Sequence, residues 1–232
     1  MGLIDIIFPK TCLGCGRSNK YICDSCIGKV DFSKQVCIEC ERPAIDGVTH
    51  IKCRKKRSLD GAVSLWVYEK VVRKAILKLK YNFAYEIAKE FSGLASELLL
   101  KKFTALPKEG ILTTIPLHWL RENWRGFNQS EEMGKLIAAN MGWKYAPDIL
   151  VRKRHGVPQT ELTGKERKSK IKGIFEFNDF YSQLTTHLPA QAGSSRLVLF
   201  DDVWTTGSTL KEAAKVLKRR GAGEVWGLTI AG

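Results

Sequence analysis

An acidic pair followed by a loop rich in hydroxyl groups is the strongest chemical signal in this sequence. Two adjacent carboxylates repel each other unless hydroxyls, amides or a cation neutralise them. Backbone N–H groups at the start of a helix suit a phosphate, and a glycine there lets the backbone approach it. The pattern predicts a sugar-phosphate site, with the alternative that these residues only cap a strand-to-helix turn. Its members are Asp201 and Asp202, then Thr205, Thr206, Gly207, Ser208 and Thr209.

The seven cysteines form a second chemical pattern, because all of them lie within the first 53 residues. Paired ligands two residues apart are typical of zinc knuckles, and eight ligands suffice for two tetrahedral ions. The simplest assignment gives the first four ligands to one zinc and the last four to another, while a crossed pairing remains open. The alternatives are buried or redox-active thiols and a surface histidine. The predicted ligands are Cys12, Cys15, Cys23, Cys26, Cys37, Cys40, His50 and Cys53.

The elements that must position these residues follow from the hydrophobic pattern. The apolar run 197–200 has no polar alternation, which is typical of a central strand covered on both faces. Further strands are predicted at 60–68, 111–115, 146–151 and 224–230. Helices are predicted at 69–79, 83–103, 130–140 and 210–217. This order predicts an α/β domain with a mainly parallel sheet.

Basic residues lie where they would face an anionic ligand. Arg125 follows the second predicted strand, and its planar guanidinium suits diphosphate oxygens, although an isolated arginine is also a common surface residue. The polar segment 152–172 carries eight basic residues and predicts a mobile flap over an anionic substrate, or simply a solvated loop. The segment 181–195 predicts a surface insertion, and the basic run 54–57 a linker.

Length and charge limit the possible classes. The 232 residues suit one large domain or a medium domain with a small one. The net charge of +14 favours contact with polyanions. No apolar run reaches the length of a membrane span and the N-terminus lacks a signal-peptide pattern, so we expect a cytoplasmic protein without a membrane span.

The acidic pair and its loop resemble the phosphoribosyl pyrophosphate loop of type I phosphoribosyltransferases. Together with the cysteine pairs, further motifs make nearly the whole chain similar to the ComF family: Lys80-Tyr81, Arg125-Gly126-Phe127-Asn128-Gln129, Gln159-Thr160, Arg167 and Gly173-x-Phe175. The resemblance implies an α/β type I phosphoribosyltransferase fold, a mainly parallel sheet flanked by helices, with a small N-terminal zinc-ribbon domain. It implies a double zinc ribbon at 1–57 and a phosphoribosyltransferase-like domain at 58–232, with the flap at about 152–175.

The same resemblance implies binding of phosphoribosyl pyrophosphate with Mg²⁺, and transfer of the phosphoribosyl group to an acceptor that the sequence does not identify. Two departures from the family pattern are His50 in place of a cysteine and Lys170 in place of an asparagine. The implied catalytic residues are Asp201, Asp202 and Arg125. The implied substrate-binding residues are Thr205, Thr206, Gly207, Ser208, Thr209, Lys80 and Arg167.

A second hypothesis is a zinc-dependent protein that binds single-stranded DNA during natural transformation, with a ligand-binding but catalytically silent pocket. The positive charge, the zinc ribbons and the aromatics Trp119, Trp124 and Trp204 favour it, because basic grooves with stacking rings suit single strands. Its expected partners are single-stranded DNA and other DNA-uptake proteins. The sequence leaves the oligomeric state open.

Overall fold

The computed structural model describes residues 10–81, 85–117, 124, 127–153, 172–181 and 195–232. After the N-terminal cysteine-rich region, strands and helices alternate along the chain. The strands are β1 Gly61–Trp66, β2 Ile111–Thr114, β3 Lys144–Tyr145, β4 Leu150–Arg152, β5 Phe175–Phe177, β6 Arg196–Val203 and β7 Glu224–Ala231. A four-residue helix, Asp24–Ile27, lies in the cysteine-rich region. The helices that flank the sheet are α1 Lys70–Tyr81, α2 Tyr85–Lys102, α3 Gln129–Met141 and α4 Ser208–Arg219.

The main sheet has five parallel strands in the order β1-β7-β6-β2-β3. Strand β6, which carries the acidic pair, lies in the middle and is hydrogen-bonded to β7 and β2. Its apolar residues 197–200 are fully buried, as the absence of polar alternation predicts. The carboxyl ends of all five strands meet at one edge, where open α/β sheets bind ligands.

Two layers cover the sheet. Helices α1, α2 and α3 pack on one face over residues such as Val198, Phe200 and Leu228. Helix α4 packs on the other face over Leu197 and Leu199, together with a small antiparallel sheet of β4 and β5. The predicted fold class, a mainly parallel sheet flanked by helices, is confirmed.

The short strand predicted at 146–151 is correct only at its end, over Leu150 and Val151. Lys144–Tyr145 pairs with β2 in the main sheet, and a 3-10 turn over Pro147–Ile149 then ends it. Proline supplies no N–H to a ladder and its fixed φ favours a turn. The chain then leaves the sheet, and Leu150–Arg152 pairs antiparallel with Phe175–Phe177. These two strands form the base of the predicted flap, whose residues 154–171 lie outside the described part of the chain, as does 182–194 of the predicted insertion.

The cysteine-rich region lies along the free edge of β1. Phe32 and Trp66 form an antiparallel bridge, and Ser33 N donates to Leu65 O at 3.0 Å. The Gln35 side chain donates to Ser64 O at 2.7 Å. Unpaired strand edges invite aggregation, so this contact covers an edge that would otherwise be exposed.

Within the ranges described above, no helix combines the length and the apolar character that crossing a membrane requires.

Candidate functional site

The acidic pair lies at the carboxyl end of the central strand, with its two side chains on opposite faces of the sheet. Asp202 points to the face covered by α1 and α3 and is 6% exposed. Asp201 lies opposite Thr229 of β7, and its Oδ1 accepts from Asp202 N at 2.8 Å. The pair therefore offers carboxylate oxygens to both sides of one strand end.

Two partners hold Asp202 in place. Lys80 Nζ at the end of α1 lies 2.8 Å from Asp202 Oδ2, in an ion pair whose members are 19% and 8% exposed. Gln129 Nε2, at the first position of α3, donates to the same oxygen at 2.9 Å. Of the residues predicted to bind substrate, Lys80 is thus brought directly to the acidic pair.

The environment of Asp201 disfavours its charge. Burial raises the pKa of its carboxyl group to about 7, and the neighbouring Asp202 carboxylate contributes to the increase. The amide hydrogen bond from Asp202 and the positive charges of Lys80 and Arg152 oppose this effect. The structure therefore favours the protonated form of Asp201, and a ligand that supplies hydroxyls or positive charge would favour its ionised form.

Gln129 is the residue that sequence reasoning did not assign to the site. Asn128 precedes it and caps α3, because Asn128 Oδ1 accepts from Ser130 N at 3.0 Å. This cap starts the helix so that Gln129 faces Asp202. The sequence did contain a signal, since Asn128 and Gln129 both belong to the motif on which the ComF resemblance rests. The contact between Gln129 and Asp202, which lie 73 positions apart, appears only in the fold.

The hydroxyl loop forms the turn into α4. Gly207 is the N-cap, with φ of +65° and no side-chain cap hydrogen bond, so the first-turn amides have no carboxylate or hydroxyl from the cap residue. Thr206 Oγ1 lies 2.8 Å from Ser208 Oγ and accepts from Ser208 N at 3.4 Å. Thr205 and Thr206 are exposed. The loop thus presents hydroxyls and a helix N-terminus beside the acidic pair, an arrangement suited to a phosphate.

Arg125 and Arg167, also predicted for this site, lie outside the described residues, as do Trp119 and the flap positions Gln159 and Thr160.

The predicted metal ligands form two separate clusters. Cys12, Cys15, Cys23 and Cys26 place their sulfur atoms within 4.8 Å of one another, and so do the ligand atoms of Cys37, Cys40, His50 and Cys53. Sulfur atoms on one tetrahedral zinc lie about 3.8 Å apart, given Zn–S bonds of about 2.3 Å. The Cys15 and Cys23 sulfurs are 3.7 Å apart. The sequential pairing is therefore the one the fold adopts, and the crossed pairing is wrong.

His50 has the geometry of a ligand. Its Nδ1 lies 3.4 Å from Cys40 Sγ, inside the second cluster. Its Nε2 lies 3.1 Å from Pro43 O, a carbonyl that accepts a hydrogen bond from the protonated Nε2 in the tautomer that leaves Nδ1 free for a metal. This is the arrangement expected when a histidine replaces one cysteine of a zinc site.

Protons would compete with the metal at both clusters. A hydrogen bond with Cys23, together with burial, raises the pKa of Cys26 to about 12. A hydrogen bond with Cys40 and burial raise the pKa of Cys53 to about 11. Zinc must displace these protons to bind, so zinc affinity should fall as the pH is lowered.

The second cluster is in direct contact with the hydroxyl loop. Ile38 lies between Cys37 and Cys40 and is 1% exposed. A Cβ atom on Gly207 would lie 3.0 Å from Ile38 Cδ1, so the isoleucine packs tightly on the turn. Glu39 Oε2 also lies 4.0 Å from Lys211 Nζ on α4. The second zinc cluster thus supports the loop that the sequence predicts to bind phosphate.

Comparison with known proteins agrees with this arrangement. The family model of the double zinc ribbon domain matches residues 3–55. The chain is 31% identical to the DNA utilization protein YhgH of Salmonella typhi over 214 residues, covering 88% of each chain. It is 25% identical to competence protein F of Haemophilus influenzae over 99% of this chain and 94% of that protein. It is 26% identical to competence protein ComFC of Bacillus subtilis over 91% of this chain and 79% of that protein.

Adenine phosphoribosyltransferase from Leishmania tarentolae overlaps 64% of this chain and 58% of its own, at 18% identity. Its TM-score of 0.34 is too low to compare the two folds, so the fold class follows from the strand order. The similarity to YhgH extends over 88% of this chain. The chain therefore belongs to the ComF-like family that includes YhgH, competence protein F and ComFC, and carries its two zinc-binding sites.

Proposed function

We propose that this member of the competence family binds phosphoribosyl pyrophosphate, as its magnesium complex, at the carboxyl end of β6. One observation carries the proposal: Lys80 and Gln129 hold Asp202 at the end of β6, and the loop that follows leads to a helix N-terminus whose cap residue has no side chain. Ribose hydroxyls and a 5′-phosphate are the groups that such acceptors and donors match.

Each part of the site takes one part of the ligand. Asp201 and Asp202 accept hydrogen bonds from the ribose hydroxyls, and residues 205–209 donate to the 5′-phosphate. Magnesium enters with the diphosphate and neutralises part of its charge. Lys80 orients Asp202 and contributes a positive charge near the diphosphate. Arg125 and Arg167 stay predictions for the diphosphate end.

The second part of the proposal is that the bound phosphoribosyl group is transferred to an acceptor. The bond from ribose C1 to the diphosphate breaks, pyrophosphate leaves with its electron pair, and a nitrogen nucleophile forms the new bond to C1 and then loses a proton. Positive charge around the departing diphosphate lowers the barrier. Release of pyrophosphate in the presence of a panel of nitrogen acceptors would measure this step separately from binding.

Calorimetric titration with phosphoribosyl pyrophosphate, with and without Mg²⁺, tests the binding proposal. We expect Asp201→Asn with Asp202→Asn to weaken binding at least about tenfold, because charged acceptors are replaced by neutral ones. Asp179→Asn is the matched control. Asp179 is an exposed acid next to the small antiparallel sheet, and its Oδ1 lies 3.0 Å from an Arg220 guanidinium nitrogen. Unchanged affinity in the double variant would reject the assignment of the site.

A second candidate function, binding of single-stranded DNA, is favoured by an exposed aromatic pair. Tyr81 and Trp124 pack edge-to-face with ring centroids 6.0 Å apart, and they are 58% and 72% exposed. Tyr81 directly follows Lys80, so bases stacked on this pair would lie beside the sugar-phosphate site. The net charge of +14 and the printed names of the relatives, DNA utilization and competence proteins, also support it.

Binding of a short oligonucleotide at several salt concentrations tests this candidate. Base stacking on an aromatic ring contributes about 1–3 kcal/mol, so Trp124→Ala should weaken binding by about fivefold to more than a hundredfold. Phe180→Ala is the matched control, because Phe180 is 84% exposed on another part of the surface. Equal loss in both variants, or affinity independent of salt, would argue against a DNA-binding surface at this site.

We also propose that the zinc ribbon ends at about residue 57 and that the flap covers about 152–175. The four basic residues at 54–57 are exposed, and β1 begins at Gly61. Limited proteolysis with and without phosphoribosyl pyrophosphate would locate both the linker and a flap that closes on the ligand.

A further inference from the structure

Glu212 is a buried carboxylate to which the proposed function gives no role. It lies in the second turn of α4 and is 5% exposed. Its Oε1 accepts from Gly173 N at 2.8 Å, and its Oε2 lies 2.9 Å from Lys215 Nζ. Burial opposes its charge, yet the Gly173 amide and Lys215 lower the pKa of Glu212 below its usual value. Glu212 is therefore a charged acceptor that ties Gly173 to α4.

Gly173 leads into the small antiparallel sheet of β4 and β5. It lies two residues before β5, and Lys153 N donates to Ile174 O at 2.9 Å, which extends the pairing beyond the strand ends. At the other end of this sheet, the guanidinium carbon of Arg220 lies 5.4 Å from the centroid of the Phe177 ring. The small antiparallel sheet is thus attached to α4 near both ends of the helix.

Asp201 faces this small antiparallel sheet. Side chains alternate along a strand, so Asp201 points away from Asp202, to the face of the main sheet that α4, β4 and β5 cover. Ile115 follows β2 and lies beside Asp201, because Ile115 N donates to Phe200 O at 2.9 Å. Ile115 and Phe175 pack in one apolar cluster. The small antiparallel sheet therefore lies against the strand end that carries Asp201.

Arg152 is a charged residue that the small antiparallel sheet brings to this place. It pairs in register with Phe175, is half-buried, and its guanidinium carbon lies 5.9 Å from the centroid of the Phe175 ring. An arginine beside an aromatic ring has a defined position and keeps its positive charge at every physiological pH. Arg152 thus lies on the Asp201 side of the strand end, as Lys80 lies on the Asp202 side.

The charges around Asp201 agree with this placement. The charged side chains on the elements packed around it are Asp202 on β6, Lys80 on α1, Arg152 on β4, and Lys211 and Glu212 on α4. Burial and the Asp202 carboxylate raise the pKa of Asp201. The amide of Asp202 and the charges of Lys80 and Arg152 lower it. Arg152 therefore favours the ionised carboxylate, whose oxygens only accept hydrogen bonds and so match ribose hydroxyls.

We propose that Arg152 and Glu212 are positioning residues of the candidate site. Glu212 holds the small antiparallel sheet on α4, and this sheet holds Arg152 where its charge faces the Asp201 carboxylate. The consequence for ligand binding rests on the proposed function, whereas the effect of Arg152 on Asp201 does not. Both residues act through Asp201 rather than by touching the ligand.

Carbon-13 NMR of the full zinc-loaded chain, labelled at the aspartate carboxyl carbons, tests the proposal without any ligand. The Asp201 signal is assigned by its loss in Asp201→Asn, and its titration midpoint is then followed with pH. The midpoint should rise by at least about half a pH unit in Arg152→Ala, because a favourable charge is lost. Arg220→Ala is the matched control, since Arg220 also lies beside a phenylalanine ring of β5 but at the far end of α4.

Glu212→Ala should raise the same midpoint, because Arg152 loses its fixed position. Loss of a negative charge by itself would lower the midpoint, so a rise identifies the displacement of Arg152. The rise should be absent in a chain that already carries Arg152→Ala, which a double-mutant cycle measures. Glu212→Gln keeps an acceptor for Gly173 N, so its midpoint should stay at or below that of the unaltered chain. If Glu212→Ala does not fold, Arg152→Ala and Glu212→Gln still decide.

Phosphoribosyl pyrophosphate with Mg²⁺ is titrated into the same variants. Arg152→Ala should weaken binding by about twofold to fivefold near pH 6.5 and by less near pH 8.5, where Asp201 is ionised in both proteins. Arg152→Lys keeps the charge, so its affinity should stay within about threefold of that of the unaltered chain. Affinity in Arg220→Ala should be unchanged at both pH values.

The two proposals fail separately. An unchanged or lower Asp201 midpoint in Arg152→Ala, or an equal rise in Arg220→Ala, overturns the positioning role. A raised midpoint in a chain that does not bind phosphoribosyl pyrophosphate would reject the proposed function and keep the effect of Arg152 on Asp201. Binding that is equally tight in Arg152→Ala and the unaltered chain at both pH values would keep the proposed function and reject the positioning of the site by Arg152.

Discussion

The two zinc clusters of this chain have the same kind of ligand spacing but different neighbours. The first zinc half, residues 10–30, packs on the helical face of the sheet through Ile22 and Val30. The second zinc half, residues 35–55, packs on the opposite face through Ile38, against the hydroxyl loop. Glu90 of α2 fixes the first half by accepting from Tyr21 N at 3.0 Å and Ile22 N at 2.7 Å.

This difference indicates that the two zinc halves have different roles. The first half joins the helical layer to the ribbon and contributes to stability. The second half holds the turn at Gly207 in shape and therefore contributes to the candidate site as well. Perturbing each half in turn should separate these two contributions.

Removal of both zinc ions should have the largest effect. So short a segment has little core of its own, and the sequence therefore predicts that chelation unfolds residues 1–55 and leaves the rest folded. The packing leads us to expect that the α/β region is destabilised as well. Unfolding of the ribbon would expose Ile22, Ile38 and the free edge of β1 to solvent. We expect the melting temperature of the whole chain to fall by more than about 10 °C, measured by circular dichroism with a chelator.

Native mass spectrometry before and after chelation gives the control, since two zinc ions must be present and then lost. An unchanged melting transition for the α/β region after both ions have left would show that the ribbon is independent of the sheet.

Truncation of one isoleucine in each half compares them directly. Ile22→Ala and Ile38→Ala should each lower the free energy of unfolding by about 2–5 kcal/mol, because both side chains are fully buried. Only Ile38→Ala should also weaken phosphoribosyl pyrophosphate binding, by several-fold, since Ile38 supports Gly207. Urea unfolding and calorimetric titration measure the two effects. Equal loss of affinity in both variants would contradict the proposed division.

Loss of the Glu90 carboxylate, which accepts from two backbone amides of the first zinc half, should affect that half alone. Glu90→Ala leaves two backbone N–H groups without their carboxylate, at a cost of about 1–3 kcal/mol in the free energy of unfolding. Glu97→Ala on the same helix is the control, because its surface pair with Lys101 contributes only about 0.3–0.5 kcal/mol. Ligand affinity should stay the same in both variants, and a decrease in Glu90→Ala would link the first half to the site.

The smallest effect should be a change in the pH dependence of stability. The folded protein raises the pKa of Asp201 from 3.8 to about 7, so the folded state holds this proton more tightly than the unfolded state. The contribution to stability is full at low pH and is lost as the pH rises through about 7. Asp201→Asn removes the titrating group, so its melting temperature should change less between pH 6 and pH 8 than that of the unaltered chain. Parallel curves for the two proteins would show that Asp201 does not titrate in this pH range.

Much of the fold could be read from local patterns. The run 197–200 identified the central strand because a strand buried on both faces needs no polar alternation. The helices at 70–81 and 129–141 were predicted within about two residues, since their apolar residues recur at helical spacing. The strand predicted at 146–151 begins too early because Pro147 starts a turn there, and the two-residue strand before that turn was missed because it has no hydrophobic pattern.

The sequence by itself determined the eight zinc ligands, the acidic pair and the hydroxyl loop, because their chemistry depends on residue types a few positions apart. Only the tertiary structure decided which ligands share a zinc, that Gln129 and Lys80 converge on Asp202, and that the second zinc half supports Gly207. The physical reason is that these contacts join distant parts of the chain, and close packing of the sheet and its layers sets them rather than any local preference.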